Sequence, residues 1–423
     1  MARQADERAG RVEKTVLSNG LRVLTERLDY VDSASLGLWV TAGSVDETED
    51  RGGITHFLEH MLFKGTADRS AIELGEAIDD LGGQVNGFTE REFVQLNARI
   101  VSEQIPAALN LLFEMLLDSS CPEEEIAREQ DVVLQEIQHL EDTPEGWMHD
   151  LLPQTAWAGH ALGRSVMGTR ESVSGLARDQ LLDRLAALSV ADRLMVTAAG
   201  RLEHEDVVDL VVRACGELKP GEPRTPAEPP TFHAERRLIS YPAGQVHFCL
   251  ATPGCSRRDE SRHAFVVLDT ILGGGASSRL FQEIRERRGL AYSIGSYLHS
   301  HSGAGLFVID AGTAEENFQL VLDLIEREME RLREHGPSEA ELARAKTQLR
   351  VSLALAAEST GFRMQHLAGS EIYWGRVLSL DEIVAGVERV TAEDVAELAR
   401  RSFTEERRAL VAIGPFDRQG GER

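Results

Sequence analysis

The chain is poor in cysteine, in long apolar runs and in positive charge. Its four cysteines, Cys121, Cys215, Cys249 and Cys255, are scattered and form no C-x-x-C pair. A disulfide framework is therefore not expected, and a reduced compartment fits. No run of about 18 apolar residues occurs, so membrane insertion is not expected either. The first ten residues, Met1 to Gly10, are polar and lack an apolar signal core, which leads to the expectation of a cytoplasmic protein. Lysine and arginine number 45 against 70 aspartates and glutamates, a net charge of −25. Phosphate backbones need a basic surface, so nucleic acid is not an expected partner. Acidity of this kind serves solubility, and it would also attract cationic partners.

What remains is a soluble globular composition, 42% hydrophobic and 27% charged. At 423 residues the chain exceeds one ordinary core, so at least two domains are expected. Lys219 to Pro230 is rich in proline and reads as an exposed, semi-extended linker. The expected division is a first domain at 1–216, a linker at 217–235 and a second domain at 236–423.

The residues with the most chemistry are His56-Phe57-Leu58-Glu59-His60. On a helix the two histidines are one turn apart, and both imidazoles leave the same face. Glu59 lies about 60° from His56, within the same arc. Two imidazoles beside a carboxylate match a zinc site with two ligands and a general base. The order H-x-x-E-H inverts the commoner H-E-x-x-H and is a signature of zinc peptidases. The competing reading is an amphipathic helix that buries Phe57, Leu58, Met61 and Leu62 and carries two incidental histidines. The motif alone leaves both open.

Around the motif the pattern alternates strands and helices. Val12 to Arg27 reads as a hairpin turning at Asn19-Gly20. Ala34 to Val40, Gln84 to Thr89, Phe93 to Ile100 and Leu194 to Gly200 read as strands, and Ala71 to Leu81 and Ile105 to Asp118 as helices. A helix starting after Pro122 carries Glu129 and Glu136 on one face, two turns apart. Its Val132, Val133, Leu134 and Ile137 point to burial, and a buried carboxylate needs a partner such as a metal. The second half repeats this order: Val246 to Thr252 stands for Ala34 to Val40, His263 to Leu272 for the motif helix, and Phe318 to Arg333 for Ile105 to Asp118. In this register Glu59 corresponds to Leu268, His60 to Asp269, Glu129 to Ala345 and Glu136 to Ser352. The fold class expected is α+β: two homologous α/β-sandwich domains, mainly antiparallel sheet covered by helices, with metal chemistry in one copy only.

Together, Gly52 to Thr66, Leu81 to Thr89, Glu129 to Glu136, and Gly273 to Phe281 with Arg288 to Ser293 resemble the pitrilysin/insulysin zinc peptidases. The likeness is nearest to the short branch that includes the mitochondrial processing peptidase and its bacterial relatives. The resemblance runs from about Val12 to Gly414 in family order. It implies His56, His60 and Glu136 as ligands of one Zn2+ per chain, with water in the open position. It gives Glu59 the role of general base and Glu129 that of orienting a ligand imidazole. It makes Asn86, Gly87 and Phe88 the edge strand on which an extended peptide adds. The family usually has alanine at Gly87, a departure that would widen or loosen the subsite. Arg285 and Tyr292, seven residues apart, match a pair that serves the substrate carbonyl and the oxyanion. Gly273-Gly274-Gly275 is no phosphate loop, since no Gly-Lys-Ser/Thr follows.

The function implied is a zinc endopeptidase that cleaves extended or unfolded peptides inside a chamber closed by a clamshell homodimer. The alternatives are a non-catalytic structural or peptide-binding subunit, and one half of a heteromer. The presence of both the H-x-x-E-H set and the Arg285/Tyr292 pair favours a self-sufficient homodimer.

Overall fold

The computed structural model describes residues 10–222 and 228–416. Of the proline-rich linker, residues 223–227 lie outside the described residues.

The first half contributes β1 (Arg11–Val16), β2 (Arg22–Arg27), β3 (Ser33–Val40), α1 (Ile54–Met61), α2 (Ala71–Asp80), β4 (Gln84–Thr89) and β5 (Val94–Val101). After these come α3 (Ile105–Leu117), α4 (Glu123–Glu141), α5 (Pro144–Ala156), α6 (Arg170–Ser174), α7 (Arg178–Leu188), β6 (Leu194–Gly200) and α8 (His204–Cys215). The hairpin at Asn19-Gly20 is present, with Gly20 at φ +93° and β1 antiparallel to β2. The second half contributes β7 (Arg236–Ser240), β8 (Val246–Pro253), α9 (Arg262–Leu272), β9 (Ala291–Ser300) and β10 (Gly305–Thr313). It continues with α10 (Phe318–His335), α11 (Glu339–Ala356), α12 (Thr360–Trp374), α13 (Leu380–Arg389), α14 (Ala392–Ser402) and β11 (Ala409–Gly414).

The two sheets share one topology. The first has the strand order β1-β2-β6-β3-β5-β4 and the second β7-β11-β8-β10-β9. Matching β7 to β2, β11 to β6, β8 to β3, β10 to β5 and β9 to β4 reproduces the order, without a counterpart of β1. Each sheet also has one parallel pair at the matching place, β2 with β6 and β7 with β11, among otherwise antiparallel neighbours. The chain is thus a duplicated α+β unit.

The repeat register needs one correction. On α1 the buried positions are Ile54, Thr55, Phe57, Leu58 and Met61; on α9 they include Ala264, Phe265, Val267, Leu268 and Ile271 at the same spacing, with Thr270 and Leu272 buried as well. Matching the buried faces pairs Leu58 with Leu268, so Glu59 corresponds to Asp269, His60 to Thr270 and His56 to Val266. Leu268 is fully buried and belongs to the core stripe, not to Glu59's flank. On α4 and α11 the expected register fits, because Glu129 and Ala345 are both buried.

The compact units are not two contiguous stretches. Among the described residues, one unit comprises 10–137, 164–222 and 355–377, and the other 138–163, 228–354 and 378–416. In the first unit, one face of the sheet packs on a core that includes Phe57, Leu58, Leu109, Leu112, Phe113 and Val133. The other face is covered by α12, whose Met364, Leu367 and Ala368 meet Leu24, Trp39 and Met195. In the second unit, α5 covers the sheet at β8 and β11. Its His149 Nδ1 lies 2.8 Å from the Tyr297 hydroxyl and 3.5 Å from Cys249 Sγ. All four cysteines are free and buried, and no helix among the described residues is long and apolar enough to cross a membrane.

Candidate metal centre

The centre is built on α1, β4 and the part of α4 up to Ile137, all within the first unit. The start of α1 is held from outside. Glu47, 8% exposed, accepts the N–H groups of Gly53 and Thr55 at 2.8 Å each. A carboxylate there satisfies free amides and suits the positive end of the helix. Arg184 donates to the Thr55 hydroxyl and to the Gly43 carbonyl. Gly53 has φ +88°, and a Cβ there would sit 2.3 Å from the Met167 carbonyl, so this turn admits glycine only. Nothing in the local sequence marks Glu47 or Arg184, because their partners are distant in the chain or are backbone groups.

With α1 fixed, His56 and His60 stand side by side, their ring centroids 4.8 Å apart. Glu136 comes in from α4: its Oε2 is 3.8 Å from His56 Nε2 and 3.4 Å from His60 Nε2. Candidate ligand atoms of the three residues all lie within 4.8 Å of one another, the one such grouping among the described residues. Glu129, 5% exposed, faces His60 Nδ1 at 3.2 Å with Oε2 and the Lys64 ammonium at 2.7 Å with Oε1. On the same helix Val133 and Ile137 are buried, whereas Val132 is exposed, contrary to the expectation from the apolar run. The helical period accounts for this, since Val132 lies off the Glu129-Val133-Ile137 face.

Two features suit a metal. Burial, and then the neighbouring His60, push the His56 imidazole down to about 4, so it is neutral, the ligating form. Its Nδ1 is buried and makes no hydrogen bond. The donor set of two imidazoles and one carboxylate, with the Glu136 side chain 42% exposed, matches catalytic zinc sites that keep one position open.

Glu59 points to the edge strand. Its Oε2 accepts the Thr89 hydroxyl at 3.0 Å, and burial raises its pKa above the ordinary carboxylate value. β4 ends the sheet, paired with β5 alone. Asn86 and Phe88 are exposed, and Gly87 lies beneath Glu59. A Cβ on Gly87 would be 2.6 Å from Glu59 Oε1 and 3.0 Å from its Cγ and Cδ. The space left by the missing methyl is therefore filled by the Glu59 carboxylate, not added to a wider subsite.

Arg285 and Tyr292 lie together in the second unit. The Arg285 guanidinium is 4.7 Å from the Phe281 ring centroid and 5.5 Å from that of Tyr292. Tyr292 is 80% exposed and occupies a bulge, between the Ala291–Thr313 and Ser293–Gly312 pairs.

Comparison with known proteins identifies the lineage. Residues 22–170 match the family model described as insulinase, peptidase family M16, and residues 175–349 the model of the peptidase M16 inactive domain. An uncharacterized zinc protease of Streptomyces coelicolor is 41% identical, covering 96% of this chain and 90% of its own. The chain belongs to peptidase family M16. An uncharacterized zinc protease of Bacillus subtilis is 36% identical, with 96% and 98% covered. Among solved structures, an M16 inactive-domain protein from Pseudomonas fluorescens superposes with a TM-score of 0.90 at 22% identity, covering 97% of this chain and 99% of that one. A protease from Helicobacter pylori gives 0.88 at 20% identity, covering 96% and 100%. These two likenesses concern the two-domain M16 fold.

Proposed function

We propose that this M16 chain is a zinc-dependent endopeptidase for extended or unfolded peptides. The observation that carries the reading is the convergence of His56, His60 and Glu136 next to Glu59 and an open edge strand. His56, His60 and Glu136 would hold one zinc ion, which supplies Lewis acidity to the scissile carbonyl and to water.

The chain's own residues do the rest. Glu59 Oε accepts a proton from the attacking water and returns it to the leaving amine. A peptide adds beside β4 through main-chain hydrogen bonds at Asn86 to Phe88. Such binding uses groups common to all peptides, so a weak sequence preference is expected. Arg285 and Tyr292 are assigned to a substrate carbonyl and to the oxyanion. The proposal includes a homodimer, which native mass spectrometry checks.

Glu59→Gln tests the mechanism. Full zinc content with peptide cleavage reduced at least about 100-fold is the expected result. Unchanged cleavage would reject Glu59 as the base. A peptide-capturing protein without catalysis would show zinc-independent binding and no cleavage in the wild type.

A further inference from the structure

Lys64 has no part in the mechanism above, yet it is tied to it by two contacts. The chain is still turning helically when it arrives there, with the Lys64 N–H donating to the Met61 carbonyl at 3.1 Å. The Lys64 ammonium then meets Glu129 Oε1 at 2.7 Å, while Glu129 Oε2 meets His60 Nδ1 at 3.2 Å. Glu129 is buried, and a buried carboxylate held by one partner only is costly and free to turn. Held at both oxygens, it has one orientation. In that orientation it is placed to accept an N–H from His60 Nδ1, and the ring then turns Nε2 to the side of Glu136, 3.4 Å away.

The second copy supplies an independent observation. In the register of the buried helix faces, Lys64 corresponds to Gly274 and His60 to Thr270. Glu129 corresponds to Ala345. The lysine, the carboxylate and the imidazole are absent together from a unit that keeps the same sheet topology. The pair is therefore not required to build this fold. It accompanies the histidine.

We propose that Lys64 is a positioning residue for the metal centre, anchoring Glu129 so that His60 presents Nε2 to the ion. The inference rests on the zinc reading above, and its test separates the two. Zinc affinity is measured by competition with a chromophoric chelator for the wild type, Lys64→Met, Lys64→Arg, Glu129→Gln and the Lys64→Met/Glu129→Gln double variant. Thermal unfolding of each metal-free protein is recorded alongside. Lys64→Met and Glu129→Gln are each expected to weaken zinc binding about tenfold or more. Lys64→Arg keeps most of the affinity, and the double variant is no weaker than Glu129→Gln alone.

Wild-type affinity in Lys64→Met, or fully additive losses in the double variant, would overturn the proposal. So would a loss of metal-free stability in Lys64→Met with zinc affinity unchanged, which is the mark of a purely structural ion pair. Lys64→Gln, neutral but of similar length, repeats the comparison should Lys64→Met not fold. A wild type that fails to bind one zinc per chain rejects the zinc reading itself, a different result from any of these.

Discussion

The two copies place an acid at the same point of the fold and use it differently. In the first, Glu59 on α1 lies against Gly87 of β4 and bonds Thr89. In the second, Asp269 on α9 lies against β9, where Ser296, the counterpart of Gly87, donates its hydroxyl at 2.6 Å. Burial lifts the Asp269 carboxyl to about 6, against the opposing effect of that hydrogen bond. Around Glu59 stand His56, His60 and Glu136; around Asp269 the matching places hold Val266, Thr270 and Ser352. A common architecture thus supports both a converging set of candidate ligand atoms and a half-buried acid capped by a hydroxyl. Sheet order and core packing do not demand the polar cluster, so its presence in one copy calls for chemistry as its cause.

The largest expected effect breaks the asymmetry at its ligand set. Glu136→Gln is expected to lose zinc affinity by about 100-fold or more and to purify largely metal-free. Glu129→Gln keeps its metal on purification and loses activity only in part. Metal analysis of both proteins checks this, and the reverse pattern would exchange the roles given to the two glutamates of α4.

A smaller effect is expected at Gly87. Gly87→Ala places a methyl on the Glu59 carboxylate, which must give up its bond to Thr89. A fall in kcat of about tenfold with little change in KM is expected, since position and not binding is disturbed. A changed KM at constant kcat would instead favour a wider subsite.

The third test concerns the acid of the second copy. Because the Asp269 pKa is raised in the fold, its contribution is fully present below the unfolded pKa near 3.8 and is lost as pH rises through about 6. Asp269→Asn should therefore be more stable than wild type at pH 7, by about 1 to 3 kcal/mol, and equal to it near pH 4. Thermal unfolding across that range checks the sign.

Much of the fold could be read in the sequence because local signals agreed with it. The strands around Asn19-Gly20, the helix after Pro122 and the stripe of Leu109, Leu112, Phe113 and Leu116 follow turn chemistry and periodicity. The repeat was legible too, but its register slipped by one residue at α9. Leu268 and Asp269 are adjacent, and only burial reveals which of them stands where Glu59 does. The units that α5 and α12 join were not legible. A segment's own pattern does not say which sheet it covers.

At the centre, His56, Glu59 and His60 were legible as a spacing on one helix. Glu129 and Glu136 were legible as one face of a helix, and the resemblance gave each its separate role. Glu47, Arg184, Thr89 and Lys64 act through contacts across the fold, and Lys64 stands only four residues after His60 with nothing in its pattern to mark it.

The most direct measurement is the anomalous scattering of a crystal grown with zinc, recorded on both sides of the zinc absorption edge. One zinc peak per chain is predicted, within coordination distance of His56, His60 and Glu136, with none near Val266, Thr270 and Ser352. An empty first copy, or a zinc ion held elsewhere with these three side chains uninvolved, would contradict the account.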